Sequence, residues 1–183
     1  MTINVKHVDF IAMVTDLNHT FVTSDHHFGS YKLPGFLKTF TEEQEKELID
    51  KWNSVVGKDD LVYYNGDFCD GNVMELCGYF KQLNGQIILI RGNHEKLDDS
   101  LYLSIFKDVT DSITIPDLDL TIHHCPGARF TKYEVFGHLH RGMEYKNKLK
   151  TSFCACVQSN NGYPVSLEKI VQYFKSQTCQ VDC

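Results

Sequence analysis

The chain has 183 residues, 42% of them hydrophobic and 23% charged, the balance of an ordinary globular domain long enough for one substantial core. A formal net charge of −6 and a pI near 5.8 argue against broad attraction to nucleic acid, which needs a basic face to neutralise phosphates, and duplex nucleic acid is not an expected partner. Seven cysteines without a signal peptide speak for free thiols in the cytoplasm rather than a disulfide framework, and no apolar run approaches the ~20 residues of a membrane span.

The first apolar segment, Val8 to Val14, reads as an edge strand or N-terminal extension within residues 1–18, closed by the turn-like Asp16-Leu17-Asn18. The strand-like run FVTSDHH (21–27) follows. Thr41 is placed to cap a helix over 42–56, where Leu48, Ile49, Trp52 and Val56 recur at helical spacing. After LVYYNGD (61–67), Asn72 can cap a second helix over 73–83 with the stripe Val73, Leu76, Tyr79, Phe80 and Leu83, ended by Asn84-Gly85. IILIRGNH (87–94) is a third buried strand, and 97–107 carries a weaker helical pattern.

From residue 108 the pattern changes to short strands at 109–115, 118–124, 133–138 and about 149–157, closed by a helix near Ser166–Lys175. Lys146, Lys148 and Lys150 suit the solvated face of a hairpin. βαβ units running into a β-rich half predict an α/β sandwich of two sheets with helices outside. With no repeat or linker to divide it, residues 1–183 are expected to form one domain.

Five apolar runs end in metal-ligand residues: FVTSDHH, LVYYNGD, IILIRGNH, LTIHHCP (120–126) and EVFGHLH (134–140). In an open α/β sheet, ligands bind beyond the carboxyl ends of strands, so the five segments can converge on one site. Asp25 and His27 are two apart, as are His138 and His140; continued extended geometry would make each pair a pincer. Asp67 follows Gly66, Asn93 and His94 follow Gly92, and His124 stands before Cys125-Pro126. The inventory is two carboxylates, one amide oxygen and four imidazoles, with His94 left over. Such mixed oxygen and nitrogen ligation suits Mn, Fe or Zn better than Ca or Mg alone, and seven ligands suit two ions sharing a carboxylate.

Other residues have blander readings. His26 and His123, each beside a candidate ligand, should point to the opposite side as packing groups, and Asp70 reads as a loop residue. Among Arg91, Arg129 and Arg141, Arg141 is best placed to reach a substrate phosphate, because it directly follows GHLH. Tyr31, Phe36, Phe130 and Tyr133 fit core or lid positions in the loops that would set specificity.

The ordered blocks DxH, GD, GNH, a histidine before a turn, and GHxH resemble the calcineurin-like metallophosphoesterase superfamily over about residues 20–170. GNH and GHxH would occur together in roughly one of a thousand shuffles of this composition. The closing Asn161-Gly162-Tyr163-Pro164-Val165-Ser166-Leu167 resembles the small single-domain phosphoesterases of bacteria and phages. The resemblance implies a four-layer αββα sandwich of mixed sheets. It also implies one ion on Asp25, His27 and His140, a second on Asn93, His124 and His138, and Asp67 bridging. His94 would contact the substrate phosphate and assist the leaving group. The implied cofactors are two divalent ions, Mn²⁺ first, with Fe, Zn, Ni or Mg as alternatives.

The function so implied is hydrolysis of phosphodiesters of the nucleotide or cyclic-nucleotide type, and secondarily of monoesters, by metal-bridged hydroxide. A protein serine/threonine phosphatase is a rival because IRGNHE resembles that branch. Its GD-x-x-D-R-G pattern fails here, where Gly71 stands in place of arginine. A non-catalytic scaffold of the same fold is the rival from another class, but no motif residue is missing.

Overall fold

The computed structural model describes residues 9–11, 16–32, 40–127, 131–140 and 150–178. Two five-stranded mixed sheets stack face to face. In the first, β2 (Thr20–Thr23), β3 (Leu61–Asn65), β4 (Gln86–Ile90) and β5 (Asp108–Thr110) run parallel, and β10 (Val165–Ser166) joins β2 antiparallel. The second has the order β1 (Asp9–Ile11), β6 (Ser112–Ile115), β7 (Leu120–His123), β8 (Tyr133–Phe136) and β9 (Ser152–Cys154), in which only β6 and β7 are antiparallel neighbours. The expected edge strand near the N-terminus is β1.

Strands buried on both faces read as unbroken apolar runs because successive side chains serve different cores. Along β4, Ile88 and Ile90 enter the layer between the sheets, while Ile87 and Leu89 face the helices. The inter-sheet layer is completed by Ile113, Ile115, Leu120, Ile122, Val135 and Phe153. On the far side of the first sheet, Ile49 and Trp52 of α1 (Glu42–Val55), Leu76 of α2 (Val73–Phe80) and Tyr102 of α3 (Asp99–Leu103) pack with Val62, Tyr64 and Leu89. A fourth helix, α4 (Leu167–Thr178), sends Leu167, Ile170 and Phe174 into the inter-sheet layer beside β10. No helix among the described residues is long and apolar enough to cross a membrane.

The expected caps form as complete capping boxes. Thr41 accepts from the Gln44 N–H while Gln44 returns a bond to the Thr41 N–H, and Asn72 and Glu75 do the same for α2. Several element boundaries differ from expectation; the strand expected at about 149–157 is confined to Ser152–Cys154, and the chain enters a 3-10 turn at Val157–Asn160. α2 stops at Phe80 rather than Leu83, because the chain tightens so that the Asn84 N–H reaches Asn53 and the Asn84 carbonyl accepts from the Trp52 indole. The 97–107 segment is helical only at Asp99–Leu103; the Lys107 N–H then donates to the Ile87 carbonyl and draws the chain into β5. The single strand expected over 109–115 is two strands in different sheets, parted at Asp111, whose carboxylate meets Arg91 at 3.2 Å. Period-two patterning is blind to a change of sheet within one continuous strand-like run.

Candidate metal centre

The carboxyl ends of β2, β3, β4, β7 and β8 open onto one site. The parallel pairing of β2, β3 and β4 sets three of those ends side by side, and β7 with β8 supplies two from the facing sheet. Backbones must touch for this to happen. A β-carbon on Gly66, whose φ is +85°, would collide with the His124 ring and lie 2.7 Å from Gly92 Cα; one on Gly92 would strike the Asp67 carboxylate. The two motif glycines are the residues whose missing side chains let the loops close.

The pincer geometry expected of Asp25/His27 and His138/His140 is not what forms. Asp25, His27 and His138 have φ of 62°, 48° and 65°, in the left-handed region, and Asp67 joins them at 59°. The strands have ended, and the chain turns sharply at each of these positions. Cross-loop bonds hold the turns: the Asp25 N–H donates to the Gly66 carbonyl (3.0 Å), the His27 N–H to the Asp67 carbonyl (3.1 Å), and the His138 N–H to Asp25 Oδ1 (2.9 Å). The side chains nevertheless meet.

Three groups of donor atoms, each mutually within 4.8 Å, occur here: Asp25, His27 and His140; His27, Asp67 and His94; and Asp25, Asp67 and His124. A fourth joins His124, Cys125 and His138. Asn93 Oδ1 lies 3.1 Å from His124 Nε2 and 2.8 Å from His138 Nδ1. Asp67 Oδ2 stands between His27 Nε2 (3.5 Å) and His124 Nε2 (3.3 Å). All seven expected ligands and His94 are therefore brought together. Arg141, Arg129, Phe36 and Phe130 lie outside the described residues. Arg91 is engaged with Asp99 and Asp111.

The donors fit divalent cations. His27 Nε2 is buried with no hydrogen-bond partner, an arrangement that costs free energy unless something else satisfies it. Its other nitrogen, Nδ1, is held by Asp70 Oδ2 at 3.0 Å, which turns Nε2 toward Asp67. His124 is aimed likewise, donating Nδ1–H to the Asn65 carbonyl at 2.8 Å. Metal-binding histidines are commonly oriented in this way by a bond at the second nitrogen. Asp67 and His124 are strongly linked. Burial pushes the Asp67 carboxyl up, but hydrogen bonds and charge from His124 and the His94 N–H outweigh it and hold it down to about 2. His124, pressed down by burial, is raised to about 9 by Asp67.

Several supporting residues escaped the sequence reading. Asp70, taken for a loop residue, accepts from both His27 Nδ1 and His94 Nδ1, the latter at 2.6 Å. Its spacing, three residues after Asp67, was the available signal. Glu95 accepts from the N–H groups of Asp67 (3.0 Å), Phe68 (2.9 Å) and Gly92 (2.6 Å), and so ties the GD and GNH turns together. The Cys156 thiol donates to Asp25 Oδ2 at 3.0 Å, and the Gln158 amide lies 2.9 Å from His140 Nδ1.

The histidines read as packing groups are so placed. His26 stacks on Phe28 with ring centroids 4.9 Å apart and sits 2.8 Å from the Tyr64 hydroxyl; burial pushes its imidazole down to about 3. His123 faces Glu134 at 3.2 Å. Burial pushes the Glu134 carboxyl up, but bonds from His123, Ser152 and the Gly127 N–H outweigh it and hold it down to about 2.

A sandwich of two mixed sheets with flanking helices, opening on clustered aspartates and histidines, is the architecture of a metallophosphoesterase. The calcineurin-like phosphoesterase family matches residues 19–166, and the chain belongs to that family. An uncharacterized protein of Methanocaldococcus jannaschii is 30% identical over 162 residues, covering 83% of this chain and 89% of its own. The Gene 66 protein of Mycobacterium phage L5 is 36% identical over 84 residues, 43% of this chain and 41% of its own. A protein of unknown function from Aquifex aeolicus has a similar fold, with a TM-score of 0.65 at 22% identity over 84% of this chain and 97% of that one.

Proposed function

We propose that the protein is a dinuclear metal-dependent phosphoesterase whose first substrates are phosphodiesters of the nucleotide or cyclic-nucleotide type, with monoesters second. The observation that carries this reading is Asp67 Oδ2, within 3.5 Å of His27 Nε2 on one side and 3.3 Å of His124 Nε2 on the other. One carboxylate between two sets of donors is what a shared ligand requires. Asp25, His27 and His140 would hold one ion, Asn93, His124 and His138 the other, with Asp67 common to both. Mn²⁺ is the first expectation, ahead of Fe, Zn, Ni and Mg. The bound ions would supply Lewis-acid activation of water and of the phosphoryl oxygens.

The chain's own residues supply the rest. Asp70 holds His94 Nδ1 at 2.6 Å and so orients the ring, from which His94 would give a proton to the departing oxygen. A recess of about 130 Å³ beside His94, lined by Cys69, Asp70, Lys96, Leu97 and Tyr102, offers space for the leaving group. Gly71 stands where the phosphatase branch carries arginine, and Arg91 is committed to Asp99 and Asp111, which favours diesters over the phosphoprotein monoesters of that branch. Lys96, in the recess beside His94, keeps monoesters as the second substrate class. Cytoplasmic residence remains part of the reading, supported by free thiols at Cys69, Cys77, Cys125 and Cys156.

Chelator-stripped protein should regain hydrolysis of bis-p-nitrophenyl phosphate when Mn²⁺ is restored, and exceed its rate on the corresponding monoester. Folded protein inactive with Mn²⁺, Zn²⁺ and Mg²⁺ alike would turn the reading toward a scaffold.

A further inference from the structure

The donors discussed so far leave one candidate at the same opening without a role. The Cys125 thiol, a ring nitrogen of His124 and a ring nitrogen of His138 all lie within 4.8 Å of one another. Cys125 is exposed, as is His138, whereas Cys154 and Cys156 are buried. The thiol thus stands on the open side of the position framed by Asn93, His124 and His138. Pro126 biases the backbone at Cys125 toward extended conformations. Beside it, His124 has Nδ1 committed to the Asn65 carbonyl, so Nε2 is the nitrogen left to face an ion. The unpartnered, buried His27 Nε2 across Asp67 is independent evidence that this opening is built to take a cation.

We propose that Cys125 is a further ligand of the ion held by Asn93, His124 and His138, giving that position a thiolate and hence a preference for thiophilic cations such as Zn²⁺ or Co²⁺ over Mn²⁺. The inference rests on the metal reading above. Thiolates favour softer ions, whereas the donors grouped in the other half, Asp25, His27 and His140, are oxygen and nitrogen, and the buried Cys156 thiol beside Asp25 is engaged with that carboxylate and the Leu139 carbonyl. The two positions would differ in kind. On coordination the Cys125 S–H bond is replaced by a sulfur–metal bond and its proton passes to solvent, so metal uptake releases that proton.

The test is titration of metal-free full-length protein with Co²⁺, followed by absorption and by calorimetry in buffers of different ionisation enthalpy. Wild-type protein should develop a near-ultraviolet sulfur-to-cobalt charge-transfer band and release about one proton more than Cys125→Ser. In Cys125→Ser the band should vanish and Co²⁺ affinity fall at one position, with Mn²⁺ affinity less affected. Cys77→Ser, altered on α2, should keep the band. Two cobalt ions bound to wild type without the band, or a band that survives in Cys125→Ser, overturns the Cys125 assignment and leaves the metal reading standing. Failure to bind cobalt at all overturns both.

Discussion

Asp25, His27, Asp67 and His138 adopt left-handed backbone conformations. For residues with a β-carbon this costs on the order of 1–3 kcal/mol each, and it persists only where surrounding bonds over-determine the turn. Here the Gly66 carbonyl, the Asp67 carbonyl and the Asp25 carboxylate receive the N–H groups that fix three of them. The residue types at these positions mark them in the sequence as candidate ligands, but their backbone angles were not legible, since aspartate and histidine at the end of a strand are equally compatible with continued extension. His94 has a narrower assignment. With Nδ1 held by Asp70 it stands at the edge of the cluster, so His94→Ala should keep both ions by calorimetry yet lose about 10²–10⁴-fold in turnover, most for poor leaving groups. Equal loss of metal would make it a ligand instead.

Local patterning located the helices well because capping boxes and apolar stripes act over a few residues. Asn72 accepts from the N–H groups of Met74 and Glu75, and Asn72→Ala should lower stability by about 1 kcal/mol in denaturant titration, through α2 and without change in metal affinity. A loss of metal affinity in that variant would mean that α2 helps to order the 66–71 turn. The segments misread were those whose fate depends on distant partners. Residues 109–115 present an unbroken β pattern, yet β5 pairs with β4 and β6 with β7, so the chain changes sheets between Thr110 and Ser112. The helical pattern over 97–107 is cut short because Ile87, a strand away, claims the Lys107 N–H.

Across the molecule, the site is the cost of stacking two sheets so that five strand ends face one opening. Asp25, Asp67, Asp70 and Glu95 crowd negative charge at the site, where, against the upward push of burial, bonds and charge from the histidines hold Asp67 and Asp70 low, while burial, the largest effect on Glu95, raises its carboxyl. Divalent ions would relieve this crowding and bind only the folded arrangement, because the donors come from segments far apart in the chain. Restoring Mn²⁺ to stripped protein at about a hundred times its dissociation constant should therefore add about 2.7 kcal/mol for each ion held, or about 5–10 °C per ion in the thermal midpoint. An unchanged midpoint would mean that the cluster holds no ion under those conditions.

The ordered motifs were enough to mark which residues gather at the site, because residue type and the glycines beside them are properties of short stretches. They were also enough for the βαβ half, where apolar runs, caps and crossovers leave few arrangements. Asp70 and Glu95 gained their roles only in three dimensions. One orients two histidines and the other receives three backbone N–H groups from two loops, relations between segments that no local pattern encodes. The same holds for Cys125, whose closeness to His138 depends on β7 and β8 pairing in parallel so that their carboxyl ends open side by side.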